Sequence, residues 1–141
     1  MTRRRFLAAA ALALCGWRPA AARAADGGLV GLDSAAVAAA LARGVPVVDI
    51  RTAPEWAETG VIPGVRRLTA FDAGGALAPD FFARLATIAG PGDDLVLICR
   101  SGNRTRRLGR LLVESHGYRR LFHAERGMLG WLAEGRPVER P

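Results

Sequence analysis

The sequence predicts an α/β domain, an open, mainly parallel five-stranded sheet with helices on both faces. Three observations predict it. Two short apolar runs, Pro46–Ile50 and Leu95–Ile98, are continuous rather than alternating, as strands covered on both faces are. Helical stretches separate the strand candidates, which implies crossover connections and parallel pairing. The chain is 141 residues long and half hydrophobic, enough for one packed core. No repeat, low-complexity tract or dividing linker follows residue 28.

The elements follow in order. Leu29–Leu32 is a short extended piece, and Asp33 and Ser34 are good N-caps for a helix over Ala35–Arg43 that Gly44 closes. Pro46–Ile50 is the first buried strand. Pro54–Glu58 reads as a short helix ended by Gly60, and Ile62-Pro63-Gly64 as a turn. Arg66–Thr69 is expected to be a strand. Pro79–Ile88 suits a helix with Pro79 near its first turn and Gly90-Pro91-Gly92 as its stop. After the strand Leu95–Ile98, Arg104–His116 places Leu108, Leu111 and Leu112 on one helical face, ending at Gly117. Arg120–His123 reads as the last strand and Met128–Glu134 as the last helix.

Residues 1–24 have a different character. Arg3-Arg4-Arg5, the apolar run Phe6–Leu14 and the small-residue pattern Ala22-Arg23-Ala24 make the layout of an export signal. Nine apolar residues are too few to cross a hydrocarbon core that needs about 20 in helix. The segment resembles a twin-arginine signal through Arg3-Arg4-x-Phe6-Leu7. A general secretory signal rich in Arg and a lipoprotein signal ending at Cys15 are the alternatives. The expected organisation is a signal over residues 1–24 and a folded domain over 25–141, exported to the periplasm. Any membrane association would run through export or an uncleaved leader. Cleavage after Ala24 leaves Cys99 as the single cysteine, a thiol without an internal partner.

Composition removes several functions. Five of the twenty basic residues lie in the leader, so the body carries fifteen against thirteen acids and offers no electrostatic footprint for nucleic acid. Every basic residue is Arg, which excludes Schiff-base chemistry and a P-loop lysine. Two Cys and two His make a structural metal site improbable, and none is expected.

The chemistry concentrates in Cys99-Arg100-Ser101-Gly102-Asn103-Arg104, between a strand and a helix N-terminus. Binding sites of parallel sheets lie at such carboxyl ends. Backbone amides and the helix dipole favour an anion there, and Gly102 permits the positive φ that such a loop requires. These features favour thiolate over thiol. A free thiol of pKa ~8.5 is only about 3% ionised at pH 7, so the gain matters.

These residues resemble a known family. Cys99-x-x-Gly102-x-Arg104-Thr105 resembles the active-site loop of the rhodanese family of sulfurtransferases. Val48-Asp49-Ile50-Arg51, Pro54-Glu55-Trp56, Gly60–Gly64, Phe122–Trp131 and Gly135–Val138 are similar to its other signatures, so the resemblance spans about residues 29–139. Val61 stands where the family usually has His, and Arg126 where many members have Gly.

The resemblance implies a two-step sulfur transfer without a cofactor. Cys99 would take a sulfane sulfur from a small donor such as thiosulfate and pass it to an external acceptor, cyanide or a thiol. The loop Arg100, Ser101, Gly102, Asn103, Arg104 and Thr105 would cradle the sulfur. Arg100 and Arg104 would meet the donor's sulfonate, or Arg104 would instead brace the loop. Asp49 and Arg51, at the end of the neighbouring strand, are expected in support. Asp49 would accept from loop amides, and Arg51 would pair with Glu55. Trp56 and Trp131 are expected to be packing residues, and neither His116 nor His123 has the spacing of a general base. The chain is expected to act as a monomer.

Two rivals remain. Cysteine phosphatases use Cys-x5-Arg, whereas only four residues separate Cys99 from Arg104. A non-catalytic binding or sulfur-sensing module outside the cytoplasm would not need the nucleophile.

Overall fold

The structure, a computed structural model, describes residues 28–141, so the export signal expected over residues 1–24 lies outside the described residues. The elements run β1 (Leu29–Leu32), α1 (Ser34–Ala42), β2 (Val47–Asp49), α2 (Ala53–Thr59), β3 (Arg66–Arg67), α3 (Phe81–Ile88), β4 (Leu95–Ile98), α4 (Asn103–His116), β5 (Leu121–Ala124) and α5 (Gly127–Ala133). All five strands are parallel, in the order β1-β5-β4-β2-β3. This is the α/β architecture that the continuous apolar runs predict.

Coverage of both faces explains those runs. Leu95 and Leu97 of β4 pack with Phe81 and Leu85 of α3 and Leu108 and Leu112 of α4. Val96 and Ile98 turn the other way, toward Val37 and Ala40 of α1 and Met128 and Trp131 of α5. A central strand with helices above and below has no polar face to show. Local signals set the helix starts. Asp33 caps α1, its Oδ1 accepting from the Ala36 amide at 2.8 Å.

Several boundaries differ from the sequence reading. The third strand is Arg66–Arg67 rather than Arg66–Thr69, although the chain stays tied to the segment after β2, the Leu68 and Ala70 amides bonding the Asp49 and Ile50 carbonyls at 3.0 Å each. Pro79 stands outside α3: the Phe81 amide bonds the Ala78 carbonyl at 3.0 Å, closing a turn around Pro79-Asp80 before the helix begins. The last strand and the last helix each begin one residue from their expected starts.

Candidate active site

β4 lies between β5 and β2, so its carboxyl end opens at the centre of the sheet. Side chains alternate along a strand, which puts Cys99 on the same face as Leu95 and Leu97, toward α4. The loop after it is turned by α5. The amides of Met128 and Leu129 bond the carbonyls of Cys99 and Arg100, at 2.9 and 3.0 Å. With these carbonyls drawn outward, the Gly102 amide points inward and donates to Cys99 Sγ at 3.2 Å.

Two glycines make this turn feasible. Gly102 has φ +93°, and a Cβ there would lie 2.1 Å from the Glu125 carbonyl oxygen. Gly127 has φ +54°, and its Cβ would lie 2.5 Å from the Cys99 carbonyl oxygen. Any side chain at either position would push the loop off α5.

The thiol is fully covered, with 0% of the Cys99 residue surface exposed. That departs from the exposed, reactive thiol that an unpaired cysteine suggests. One turn into α4, Thr105 Oγ1 lies 3.7 Å from Sγ, bonds the Gly102 carbonyl at 3.1 Å and sits 2.9 Å from His123 Nδ1. Sequence spacing alone sets His123 aside. Its position two residues after Leu121 puts it on the α4 face of β5, and the register sets it beside Leu97.

Arg104 braces the loop rather than standing free. Its two terminal nitrogens bond both oxygens of Glu55, at 2.9 and 2.5 Å. Glu55 also accepts from the Thr52 amide at 3.1 Å, across the first turn of α2. The Arg104 guanidinium chiefly, with help from Thr52 and against the effect of burial, lowers the Glu55 pKa to about 2. Arg104 in turn is raised, first by the hydrogen bond to Glu55 and to a lesser degree by charge on Cys99.

The expected Arg51–Glu55 carboxylate pair is replaced. Arg51 is buried and pairs with Asp49, its Nη2 lying 2.8 Å from Oδ2 and its Nε 3.0 Å from Oδ1. Its remaining donors bond Thr59 Oγ1, the Glu55 carbonyl and the Gly60 carbonyl, so it ties β2 to the C-terminal turn of α2. Asp49 does accept one loop amide, that of Arg51 at 3.1 Å. No hydrogen bond joins either residue to Cys99.

The other expected residues separate. Arg100 and Asn103 are exposed and Ser101 is half-buried, with no side-chain hydrogen bond to the sulfur. Trp131 is a packing residue, its Nε1 bonding the Pro137 carbonyl at 2.9 Å. Trp56 is half-buried, with the Arg67 guanidinium 5.5 Å from its ring centre. Val61 is buried and bridges Glu139, while Arg126 is exposed at the start of α5.

Beside the loop lies a crevice of about 730 Å³, lined by Thr52, Glu55, Phe71, Asp72, Arg104 and Arg107 among others. Sequence reasoning passed over Arg107, although it lies three residues after Arg104 on one helical face. Among the described residues, no group of three or more His, Cys, Asp or Glu is placed to hold a metal ion. No described helix is long and apolar enough to cross a membrane.

Residues 33–134 match the family described as Rhodanese-like domain. No curated protein matches the chain. Solved structures do. A polysulfide-sulfur transferase homodimer from Wolinella succinogenes is 22% identical with a TM-score of 0.61, over 79% of each chain. A thiosulfate sulfurtransferase from Pseudomonas aeruginosa is 21% identical with a TM-score of 0.61, over 78% of this chain and 20% of that one. A protein of unknown function from Rhodopseudomonas palustris, described as a possible tyrosine phosphatase, is 25% identical with a TM-score of 0.57, over 77% of this chain and 83% of that one.

Proposed function

The chain belongs to the rhodanese-like domain family, and from that premise we propose that it is a sulfurtransferase carrying a sulfane sulfur on Cys99. The Cys99 thiolate attacks the outer sulfur of a donor such as thiosulfate. A Cys99 S–S bond forms, the donor's S–S bond breaks, and its electron pair leaves on sulfite. Cyanide or a thiol then attacks the terminal sulfur, departs as thiocyanate or a persulfide, and returns the electron pair to Cys99.

The observation that carries this reading is the Gly102 amide aimed at Cys99 Sγ from a loop whose carbonyls are held outward. A donor fixed before reaction stabilises negative charge without reorganising. The hydroxyl of Thr105 adds a second donor, because its single proton can turn from the Gly102 carbonyl to the sulfur while His123 Nδ1 remains its neighbour. Since the thiol is covered, the loop must shift to admit the donor, a motion of the microsecond-to-millisecond class. In this reading the chain acts as a cofactor-free monomer, exported by its leader.

Intact mass after thiosulfate treatment tests the proposal. A gain of about 32 Da on Cys99, removed by cyanide or a thiol, is the expected result. Cys99→Ser should abolish both the gain and thiocyanate formation while the circular dichroism spectrum is kept. Turnover that survives in that variant would refute the mechanism, and a folded wild type that never takes up sulfur would favour a binding module.

A further inference from the structure

We propose that the crevice beside the loop is an acceptor subsite for thiols bearing an α-amino-acid head group, with Arg107 taking the carboxylate and Asp72 the ammonium. The proposal rests on the sulfur-transfer reading above and adds to it the identity of the acceptor. Three observations point to it.

The first is position. The walls come from the segments following β2 and β3 and from the first turns of α4. All three lie at the carboxyl edge of the sheet, where Cys99 also lies. Arg104 belongs both to this wall and to the surroundings of the sulfur.

The second is size. A volume of about 730 Å³ is within the range of small-molecule sites and far more than a thiosulfate ion fills. Pro54, Phe71 and Ala73 supply apolar wall.

The third is charge. Glu55 and Arg104 cancel each other through two hydrogen bonds. Of the lining charges, Arg107 and Asp72 are left. The Arg107 guanidinium lies 5.7 Å from the centre of the Phe71 ring, and among the described residues it forms no ion pair. A cation held beside an aromatic face keeps its N–H groups for a ligand. Asp72 uses Oδ1 to accept the Gly74 and Ala76 amides of its own turn, both at 2.9 Å, and its Oδ2 carries no hydrogen bond. The site therefore offers one cation and one anion. A simple dianion would satisfy Arg107 and be repelled by Asp72, whereas a zwitterion satisfies both.

Acceptor kinetics with the full chain, loaded with sulfur by thiosulfate, test the assignment. Four thiols separate the charges: cysteine has both, N-acetylcysteine only the carboxylate, cysteamine only the ammonium, and 2-mercaptoethanol neither. Each kcat/KM is taken relative to 2-mercaptoethanol on the same protein. Arg107→Gln should lower the values for cysteine and N-acetylcysteine about tenfold, the loss of one charge-assisted pair, and spare the cysteamine ratio. Asp72→Asn, which can still cap its turn, should lower those for cysteine and cysteamine. Arg107→Lys should restore part of the loss. Equal losses for all four thiols, or none, would overturn the assignment.

A second measurement is independent of turnover. S-methylcysteine cannot accept sulfur, and titrated against the wild type it should shift the amide resonances of residues 71–75 and 104–107, with about tenfold weaker binding in Arg107→Gln. Those shifts would uphold the subsite even if Cys99 never took up sulfur. Their absence would overturn it.

Discussion

The Arg51–Asp49 pair and the Arg104–Glu55 pair join the same two chemical groups in different surroundings. The first is formed by residues two apart in sequence, with both side chains 1% exposed. The second joins residues 49 apart, with side chains 31% and 23% exposed. In the first, the guanidinium donors are spent on Asp49, Thr59 and the backbone carbonyls of Glu55 and Gly60. In the second, Arg104 spends its two terminal nitrogens on Glu55, which also accepts from Thr52, and the pair lines the crevice. A charge taken fully out of water is bearable only when every partner is in place, so the first pair is part of the fold. The second can open and close at modest cost, so it suits the edge of a site.

Breaking the buried pair should give the largest effect. Arg51→Met removes the buried guanidinium partner of Asp49 and the side-chain bonds from β2 to α2. A loss of about 3–5 kcal/mol is expected in urea unfolding, with a fall in Tm on the order of 10 °C or more. A loss below about 1 kcal/mol would erase the distinction between the pairs.

Breaking the rim pair should do the reverse. Glu55→Gln is expected to cost less than about 1 kcal/mol of stability. It frees Arg104 at the first turn of α4, so the Cys99 loop loses its brace, and sulfur uptake from thiosulfate should slow about tenfold. Stopped-flow release of sulfite measures this step. A variant that is unstable but fully active would reverse the comparison.

The smallest effect is the dependence on acid. The Glu55 pKa falls from the ordinary 4.5 to about 2 in the folded chain, mainly through Arg104. A depressed carboxylate contributes stability that is complete above the unfolded value and is lost as pH falls from 4.5 through about 2. Carbon NMR of the Glu55 carboxyl should show a midpoint near 2, and Arg104→Gln should return it toward the ordinary range. A midpoint near 4.5 in the wild type would show that the pair does not persist in solution.

Much of this was legible in the chain. Continuous apolar runs marked β2 and β4 because a strand covered twice cannot alternate. Asp33 and the helix-closing glycines marked their helix ends through local hydrogen bonding. Cys99 was legible too, since strand, cysteine, glycine and helix in succession already define a concave turn of amides. Arg51 was assigned the wrong partner. A carboxylate four residues ahead is a natural guess in sequence, but burial left Arg51 beside Asp49 and sent Glu55 outward to Arg104.

Short-range chemistry therefore determined which residues form strands, where helices start, and that a thiol follows the central strand. Contacts between distant segments decided the rest. The α5 amides that hold the loop carbonyls, the meeting of Glu55 with Arg104, the placement of His123 against Thr105, and the presence of Arg107 and Asp72 in one crevice all depend on strand order and helix packing. The physical reason is range. A cap or an apolar run is satisfied within a few residues and leaves its mark there, whereas a charge or a hydroxyl finds its partner only after the sheet has brought remote parts of the chain together.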